Sequence, residues 1–406
     1  MKNTILLIVL FSSFFSQAKI ALKDGMWLGQ LAMNDRLTIP FQLLVSQKGK
    51  NVCVVNGAEK MQMDVLHKKD SLYLAFPFQD AVLVLHLEEG ESSARGYWLN
   101  RNKKMRVKIP LTLTWNVEKR FPSMVETKPM DEVFSGIWSV TFQPGTKDAE
   151  QAVGIFKAEN GSRITGTFLT ETGDYRFLDG NRSGLNFSMS TFNGSWAMLF
   201  EATLDSDTLR GSFYSGPSYV TQWIAVRNPN AQLRNEASLT YVVNDQALIT
   251  KDMQKLNGKP FSLKEYEGKV VVLQIMGTWC PNCLDEVQFM EKLNQNYHES
   301  GLEIVALAYE VGTNTKEQRK KLITFKKRIG MSYDLILAGT SSKDVAAAQF
   351  PMLNGIMSFP TTVILGKDGK VLHVHTGYSG PATGEAHKIL TDKIQLEIEL
   401  ALDLLK

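Results

Sequence analysis

Cysteine is scarce in this chain, and an excess of one charge is absent. Only Cys53, Cys280 and Cys283 occur among 406 residues. A framework of structural disulfides needs more cysteines, so we expect hydrophobic cores to hold the fold. The 45 basic and 42 acidic residues nearly balance, with a formal net charge of +3. This balance argues against a nucleic acid partner, which would require a strongly basic surface.

Long apolar runs are also lacking after the first 18 residues. The opening MKNTILLIVLFSSFFSQA has Lys2, an apolar run, and then the small residues Ser16 and Ala18. This order is typical of a cleavable signal peptide, and the run is short for a membrane span. We therefore expect residues 1–18 to be a signal peptide and the protein to be exported to the periplasm. If the segment is not cleaved, it would tether the protein to the membrane.

The N-terminal half consists of short segments with β-strand composition. Examples are TIPFQLLVSQ, AVLVLHL, LNFSMSTFNG and TQWIAVRN, which are separated by turn-like stretches such as KGK and EEGESS. The segments are rich in β-branched and aromatic residues and show no helical period. The sequence predicts two all-β antiparallel units, residues 19–120 and 131–228, each a barrel or a sandwich of about eight strands.

The two units resemble repeats of one another. GMWLGQL and SGIWSVTF both carry Gly-x-Trp, and ARGYW and LRGSF both carry Arg-Gly. A Gly-x-Trp in the first strand and an Arg in a late strand are faintly similar to lipocalin-like barrels. A generic duplicated β domain with packed tryptophans explains the same residues. One alternative function is therefore a binding protein. In this alternative the β units bind a ligand or a protein, and the C-terminal part serves mainly as a platform.

The pattern changes after a polar linker at residues 229–244. KVVVLQIMG and LEIVALAYE are continuous apolar segments, typical of strands buried in a parallel sheet. Between them, LDEVQFMEKLNQNYHES has apolar residues at helical spacing. A second amphipathic helix ends at Gly330, and a hairpin is predicted at KDGK. Residues 245–406 are therefore predicted to form an α/β domain, with a last helix after Glu385.

Cys280 and Cys283 lie where the first of these strands passes into a helix, in GTWCPNCLDE. The first N–H groups of a helix lack internal partners and carry partial positive charge, so they stabilise a thiolate. Pro281 suits the first helical position. We expect Cys280, nearer the surface, to attack a disulfide and Cys283, more buried, to resolve the mixed disulfide.

Two other roles for the cysteine pair remain open. A zinc site usually needs four ligands, and nothing in the sequence places Cys53, His373 or His375 beside the pair. A permanent disulfide closing so small a loop would restrict the unfolded chain little. Redox chemistry explains the spacing better, and we expect neither a metal nor another cofactor.

The C-terminal part resembles a known family. GKVVVLQIMGTWCPNCLDEVQFMEKLNQNYHESGLEIVALAYE together with FPTTVILGKDGKVLHVHTG is similar to thioredoxin-like proteins of the TlpA/ResA type. The resemblance implies a thioredoxin fold and a thiol–disulfide oxidoreductase with Cys280 as nucleophile and Cys283 as resolving thiol. It implies disulfide-containing extracytoplasmic substrates, commonly in cytochrome c maturation or at copper sites. It also implies an upstream electron donor such as a membrane thiol reductase.

Three further residues, Trp279, Pro360 and Glu286, match this family. Pro360 in FPTT corresponds to a cis-proline facing the two sulfurs, although a trans loop proline is the more common state. The backbone of Phe359 would then be open to a substrate strand. Glu286 corresponds to an acid that exchanges protons with Cys283; a solvated surface glutamate is the alternative. Trp279 would shield the site or simply pack.

Several residues depart from related patterns. Gln274 occupies the position of the buried aspartate of thioredoxin and cannot act as a base. The Pro-Asn dipeptide between the cysteines leaves the direction of electron flow open. A peroxiredoxin-like peroxidase is the rival enzyme, but it needs Thr where this chain has Gly277. Cys53, in the β segment NVCVVNG, is expected to be a buried free thiol.

Overall fold

The molecule consists of two β-barrels followed by an α/β domain. A computed structural model describes residues 21–88, 90–101, 107–124 and 131–405. The predicted signal peptide, residues 1–18, lies outside these described residues. Within them, every helix falls short of the length and apolarity that a membrane crossing requires. The predicted fold class, an all-β N-terminal half and a C-terminal thioredoxin fold, is confirmed.

The first barrel closes when its last strand pairs antiparallel with its first. Its eight strands follow one another in the sheet in chain order. They are β1 Gly25–Ala32, β2 Thr38–Ser46, β3 Asn51–Asn56, β4 Glu59–Lys68, β5 Ser71–Ala75, β6 Ala81–Leu87, β7 Ser93–Asn100 and β8 Val107–Trp115. Large side chains such as Trp27, Phe41 and Leu43 are buried inside. The barrel is therefore filled by its own side chains.

The second barrel repeats this plan after the short helix α1, Asp131–Phe134. Its strands are β9 Gly136–Phe142, β10 Glu150–Ala158, β11 Arg163–Thr170, β13 Leu178–Ser183, β14 Asn186–Phe192, β15 Ala197–Asp205, β16 Thr208–Ser215 and β17 Tyr219–Arg227. Pairing of β17 with β9 and of β10 with β11 closes the ring. The two-residue strand β12, Gly173–Asp174, projects from the β11 end as a side hairpin.

Matching tryptophans confirm that the barrels share one design. The indole N–H of Trp27 donates to the carbonyl of Lys23, and that of Trp138 donates to Phe134, four residues earlier in both cases. The shared Arg-Gly glycines also correspond. A Cβ on Gly96 or on Gly211 would overlap a carbonyl of the neighbouring strand. Close backbone contact therefore requires glycine at this point in both units.

Cys53 shows how strand alternation fixes exposure. Val52 and Val54 on either side are fully buried in the first barrel. Since successive side chains in a strand point to opposite faces, Cys53 lies on the outer face. It is a half-buried free thiol whose S–H donates to Gln62 Oε1 at 3.2 Å. The expectation of a buried thiol was wrong, because the alternation assigns the interior to the valines.

The α/β domain contains a six-stranded sheet in the order β18-β21-β20-β19-β22-β23. Strands β19, β20 and β21 are parallel, and β22 and β23 form the predicted antiparallel hairpin. The strands are β18 Gln254–Lys255, β19 Val270–Met276, β20 Leu302–Glu310, β21 Asp334–Thr340, β22 Thr361–Leu365 and β23 Val371–Thr376. The helices are α2 Pro281–Tyr297, α3 Thr315–Ile329, α4 Lys343–Gln349 and α5 Glu385–Ala401.

Helix α2 presents the apolar face that its sequence predicts. Leu284, Val287, Met290 and Leu293 are all buried against the sheet. The helix begins at Pro281, and Cys280 is its N-cap. Strand β19 is buried along its whole length, so the cysteines lie where a central strand meets a helix N-terminus.

Candidate dithiol site

The first turn of α2 holds both cysteines as free thiols. The backbone N–H of Cys283 donates to Cys280 Sγ at 3.2 Å, and the Cys280 S–H reaches the carbonyl of Phe359 at 3.4 Å. The first interaction stabilises negative charge on Cys280, as other N-cap hydrogen bonds do. Burial, followed by the hydrogen bond and charge of Cys280, raises the pKa of Cys283 well above its ordinary value. The two thiols thus have different environments: Cys280 accepts a backbone N–H at the start of the helix, whereas the burial of Cys283 favours its protonated form.

Phe359 and Pro360 lie directly opposite Cys280. The peptide bond between them is cis. The Trp279 ring meets the Phe359 ring edge to face, with centroids 5.6 Å apart, and its indole N–H donates to the carbonyl of Tyr309 at 2.9 Å. The Phe359 carbonyl thus lies beside the Cys280 sulfur, the Trp279 ring packs on the Phe359 ring, and Pro360 directly follows Phe359.

Glu286 is fully buried one turn after Cys283 on the same helix. The hydroxyl of Thr362 donates to one carboxylate oxygen at 2.7 Å, and the amide of Gln274 donates to the other at 2.8 Å. Burial raises the pKa of Glu286 to about 7, although these two hydrogen bonds lower it. The solvated alternative for Glu286 is wrong, and near neutral pH the group can both accept and donate a proton.

Gln274 occupies the expected position of the thioredoxin aspartate and here orients another acid. Its amide nitrogen holds Glu286, and its carbonyl oxygen accepts from the Tyr333 hydroxyl at 3.2 Å. Burial raises the pKa of Tyr333 well above its ordinary value, so it remains a donor. The chain Tyr333–Gln274–Glu286 therefore fixes the carboxylate near Cys283.

Glu310, at the end of β20, is a buried acid that sequence reasoning missed. Its carboxylate accepts from the backbone N–H and the hydroxyl of Thr278, both at 2.8 Å. Lys321 lies 3.4 Å from it. Glu310 therefore fixes the segment immediately before Cys280. The signal in the sequence that could have identified Glu310 is an acidic residue at the end of a buried strand, beside the loop that carries the cysteines.

The second barrel also contributes residues that the sequence did not indicate. The Arg176 guanidinium donates to the Pro281 carbonyl at 2.8 Å and forms ion pairs with Asp285 and with Glu59 of the first barrel. The Asn282 side chain donates to the carbonyl of Asp174 at 3.1 Å. Both residues between the cysteines are thus held by the second barrel. These contacts span more than 100 positions and leave no local pattern in the sequence.

Burial of Cys280 differs from the expectation of a reachable thiol. Cys280 is 7% exposed, slightly more than Cys283, which is fully buried. The order of exposure agrees with the prediction, but Cys280 is covered. The Ser195 hydroxyl of the second barrel donates to the Trp279 carbonyl at 3.3 Å, close in sequence to Pro281 and Asn282, which the same barrel also contacts. Cys280 is less exposed than expected because the barrels close over the site in addition to the α/β core.

Gly277 excludes a side chain three residues before Cys280. A Cβ at this position would overlap the Trp279 indole and lie 2.9 Å from the Tyr309 carbonyl oxygen. The threonine that a peroxiredoxin-like peroxidase needs there does not fit this arrangement.

The histidines lie in a separate ion-pair cluster. His375 Nε2 pairs with Glu397 at 2.5 Å, and His373 approaches the same carboxylate at 3.3 Å. Within the described part of the chain, no three His, Cys, Asp or Glu side chains converge as metal ligands. Burial lowers the pKa of His375, but hydrogen bonds and charges of Glu236 and Glu397 outweigh this effect and raise the pKa to about 9. The cluster connects the linker to β23 and α5.

Comparison with known proteins relates the C-terminal part to redox proteins. Residues 242–390 match the Redoxin family model. The thiol-disulfide oxidoreductase ResA of Halalkalibacterium halodurans is 34% identical over 125 residues, which are 31% of this chain and 64% of that protein. ResA of Bacillus subtilis is 30% identical over 125 residues, 31% of this chain and 63% of that protein. The chain thus spans less than two thirds of the length of these relatives.

One solved structure is also similar to part of this chain. The thiol:disulfide interchange protein of the thioredoxin family from Chlorobium tepidum is 20% identical, covers 39% of this chain and 98% of its own, and has a TM-score of 0.30. The sequence comparisons confirm the resemblance: the C-terminal region carries a Redoxin domain related to ResA proteins.

Proposed function

We propose that this protein is a thiol–disulfide oxidoreductase that reduces disulfides of exported proteins. The observation that supports this most strongly is the geometry of Cys280. It is the N-cap of α2, accepts the N–H of Cys283, and lies 3.4 Å from the carbonyl oxygen of Phe359. A helix N-terminus stabilises the thiolate that thiol–disulfide exchange requires.

The reaction has two exchange steps. The Cys280 thiolate attacks one sulfur of a substrate disulfide, a mixed disulfide forms, and the other substrate sulfur leaves as a thiolate. Cys283 then loses its proton and attacks Cys280 Sγ, which releases the second substrate thiolate. The substrate gains two electrons, and the protein is left with a Cys280–Cys283 disulfide. An upstream dithiol must reduce this disulfide for the next cycle.

Glu286 accepts the proton of Cys283 in the second step. Its raised pKa of about 7 matches the task near neutral pH. Cys283 is buried and needs a base, since burial opposes its ionisation. Phe359 and Trp279 would contact the substrate chain beside the sulfur.

The N-terminal sequence supports export, and the ResA names support the class of reaction. We place the protein in the periplasm. Disulfide-containing extracytoplasmic proteins, including apocytochromes, are the proposed substrates. A membrane thiol reductase is the proposed electron donor.

Mixed-disulfide trapping tests the proposal. The reduced full-length chain is incubated with oxidised glutathione, and adducts are located by mass spectrometry. Cys283→Ala should accumulate glutathione on Cys280, because no resolving thiol remains. The unaltered chain should instead convert to the Cys280–Cys283 disulfide.

Matched variants decide the outcome. Cys53→Ser should behave as the unaltered chain, and Cys280→Ala should form no adduct at the pair. The proposal fails if Cys280 forms no adduct under conditions in which the same chain, unfolded in urea, reacts fully.

A further inference from the structure

We infer that residues 171–176 of the second barrel are a built-in cover for the dithiol, which a substrate must displace. This inference rests on the proposed function, because it concerns access to the same sulfur. The starting observation is that Pro281 and Asn282, the two residues between the cysteines, contact a part of the chain more than 100 positions away. We call residues 171–176 the cover segment.

The cover segment lies against the residues next to Phe359 and Pro360. The Ser358 hydroxyl donates to the carbonyl of Thr172 at 3.0 Å. On the other side, a Cβ on Gly377 would overlap the backbone of Thr172. The segment therefore lies in close contact with the loop before β22 and the loop after β23. This is the backbone beside Phe359 that a substrate chain would need.

The cover segment also contacts the residues between the cysteines. Asn282 donates to the carbonyl of Asp174, and a Cβ on Gly173 would overlap the Asn282 amide. Residues 173–174 form the short strand β12. The carbonyls of Thr172 and Asp174, two residues apart, both accept hydrogen bonds from the α/β domain. An extended peptide would offer the same kind of backbone acceptors, so a substrate strand could make the same hydrogen bonds in place of the segment.

Arg176 anchors the cover. Its guanidinium joins the Pro281 carbonyl, the Asp285 carboxylate and Glu59 of the first barrel. Arg176 is 8% exposed, so these ion pairs are shielded from water. The Asp174 carboxylate adds a hydrogen bond from the backbone N–H of Gly380. All three parts of the molecule thus meet beside the first turn of α2.

The chemistry of the contact favours a cover that can move. The contacts described here are hydrogen bonds and ion pairs, which water or a substrate backbone can replace. Substituting one partner of a buried ion pair leaves the other charge unpaired and weakens the contact strongly. Release of residues 171–176 would expose Cys280 and the Phe359 backbone together.

Alkylation with reagents of two sizes tests the cover. Cys53→Ser/Cys283→Ser leaves Cys280 as the single thiol of the full-length chain. N-ethylmaleimide and a maleimide carrying a 5-kDa polyethylene glycol are compared. The ratio of the two rates is normalised to the ratio for the urea-unfolded chain. The large reagent should be disfavoured about tenfold or more in the folded chain, because it needs the cover open.

Two variants should open the site by different means. Arg176→Ala removes the anchor, and Gly173→Ala places a methyl group against Asn282. Each should restore the normalised ratio of rates toward one. Arg210→Ala, an exposed arginine of the same barrel, is the matched control and should change nothing. Circular dichroism checks that each variant is folded.

The outcomes separate the cover from the proposed function. Equal access of both reagents to Cys280 in the otherwise unaltered folded chain would overturn the cover, whatever the enzymatic activity. An unchanged ratio in both folded opening variants would also overturn it. If Arg176→Ala and Gly173→Ala open the site but Cys280 never exchanges with oxidised glutathione, the cover stands and the proposed function fails.

Discussion

Glu286 is the residue whose charge most directly connects the site to pH. Its pKa is raised from an ordinary 4.5 to about 7, mainly by burial. The folded chain therefore binds this proton more tightly than the unfolded chain does. This tighter proton binding stabilises the folded chain fully below about pH 4.5, and the stabilisation is lost as the pH rises through about 7.

Glu286→Gln should remove this pH dependence. Between about pH 4.5 and pH 8, the free energy of unfolding of the unaltered chain should fall by up to about 3 kcal/mol more than that of the variant. Burial also raises the pKa of Asp285 to about 7. Because Asp285 is present in both chains, the difference isolates Glu286. Urea denaturation at both pH values measures it.

The same variant should slow the second exchange step. Without a base for Cys283, loss of the glutathione adduct from Cys280 should slow by about 10²-fold near neutral pH. Glu299→Gln, an exposed glutamate of the same region, is the control. Identical pH profiles for Glu286→Gln and the unaltered chain would remove Glu286 from the mechanism.

Single residues differ in how far the sequence predicts them. Cys280, Cys283 and Pro281 follow from local spacing at a strand–helix junction. The burial of Glu286 does not, because its partner Thr362 lies 76 positions away. Spacing on a helix shows which side chains share a face, but the packing of distant strands decides whether that face is buried.

Among the elements, the segment from the end of β19 to the start of α2 determines where Cys280 lies. Glu310 at the end of β20 holds this segment through Thr278. Parallel pairing of β19 with β20 brings these two strand ends together. The position of the nucleophile therefore depends on the neighbouring strand as well as on its own helix.

Replacing Glu310 should loosen this segment. Glu310→Ala leaves the Thr278 donors without an acceptor, and we expect a loss of about 1–3 kcal/mol in the free energy of unfolding. Glu310→Gln keeps one carbonyl acceptor and should lose less. Denaturant titration of both variants measures the difference. Equal losses in the two variants would show that the hydrogen bonds to Thr278 do not contribute to the free energy of unfolding.

Element order was largely predictable, but short elements were not. Continuous apolar runs marked β19 and β20, and the apolar spacing marked α2. Helix α4 was not predicted, because its seven residues, KDVAAAQ, are too short to show a helical period. The choice between barrel and sandwich also stayed open, since closure depends on pairing between the first and last strands, which alternation alone does not encode.

At the scale of the whole molecule, the barrels and the α/β domain pack as one body. Arg120 lies buried between the barrels and donates to the Ser190 carbonyl at 2.9 Å. Arg328 of α3 donates to the Pro77 carbonyl of the first barrel at 2.8 Å. Such contacts join positions far apart in the chain, so the sequence predicted the parts but not their docking.

X-ray scattering tests this docking in solution. A compact chain of this length has a radius of gyration of about 22 Å, and the reduced protein should be close to this value. Opening of residues 171–176 leaves the contacts of Arg120 and Arg328 in place, so Arg176→Ala and Arg210→Ala should both keep this value. A much larger radius for the unaltered chain would contradict the packed arrangement.

The central claim is that Cys280 and Cys283 form a reversible redox pair. Its most direct test is a redox titration of the full-length chain, with the disulfide followed by mass spectrometry. The account predicts one two-electron transition, retained in Cys53→Ser and absent in Cys280→Ser and Cys283→Ser. A potential below about −230 mV is expected of a reductase. A pair that stays as two thiols across the whole range, or a transition that survives loss of Cys280, would contradict the account.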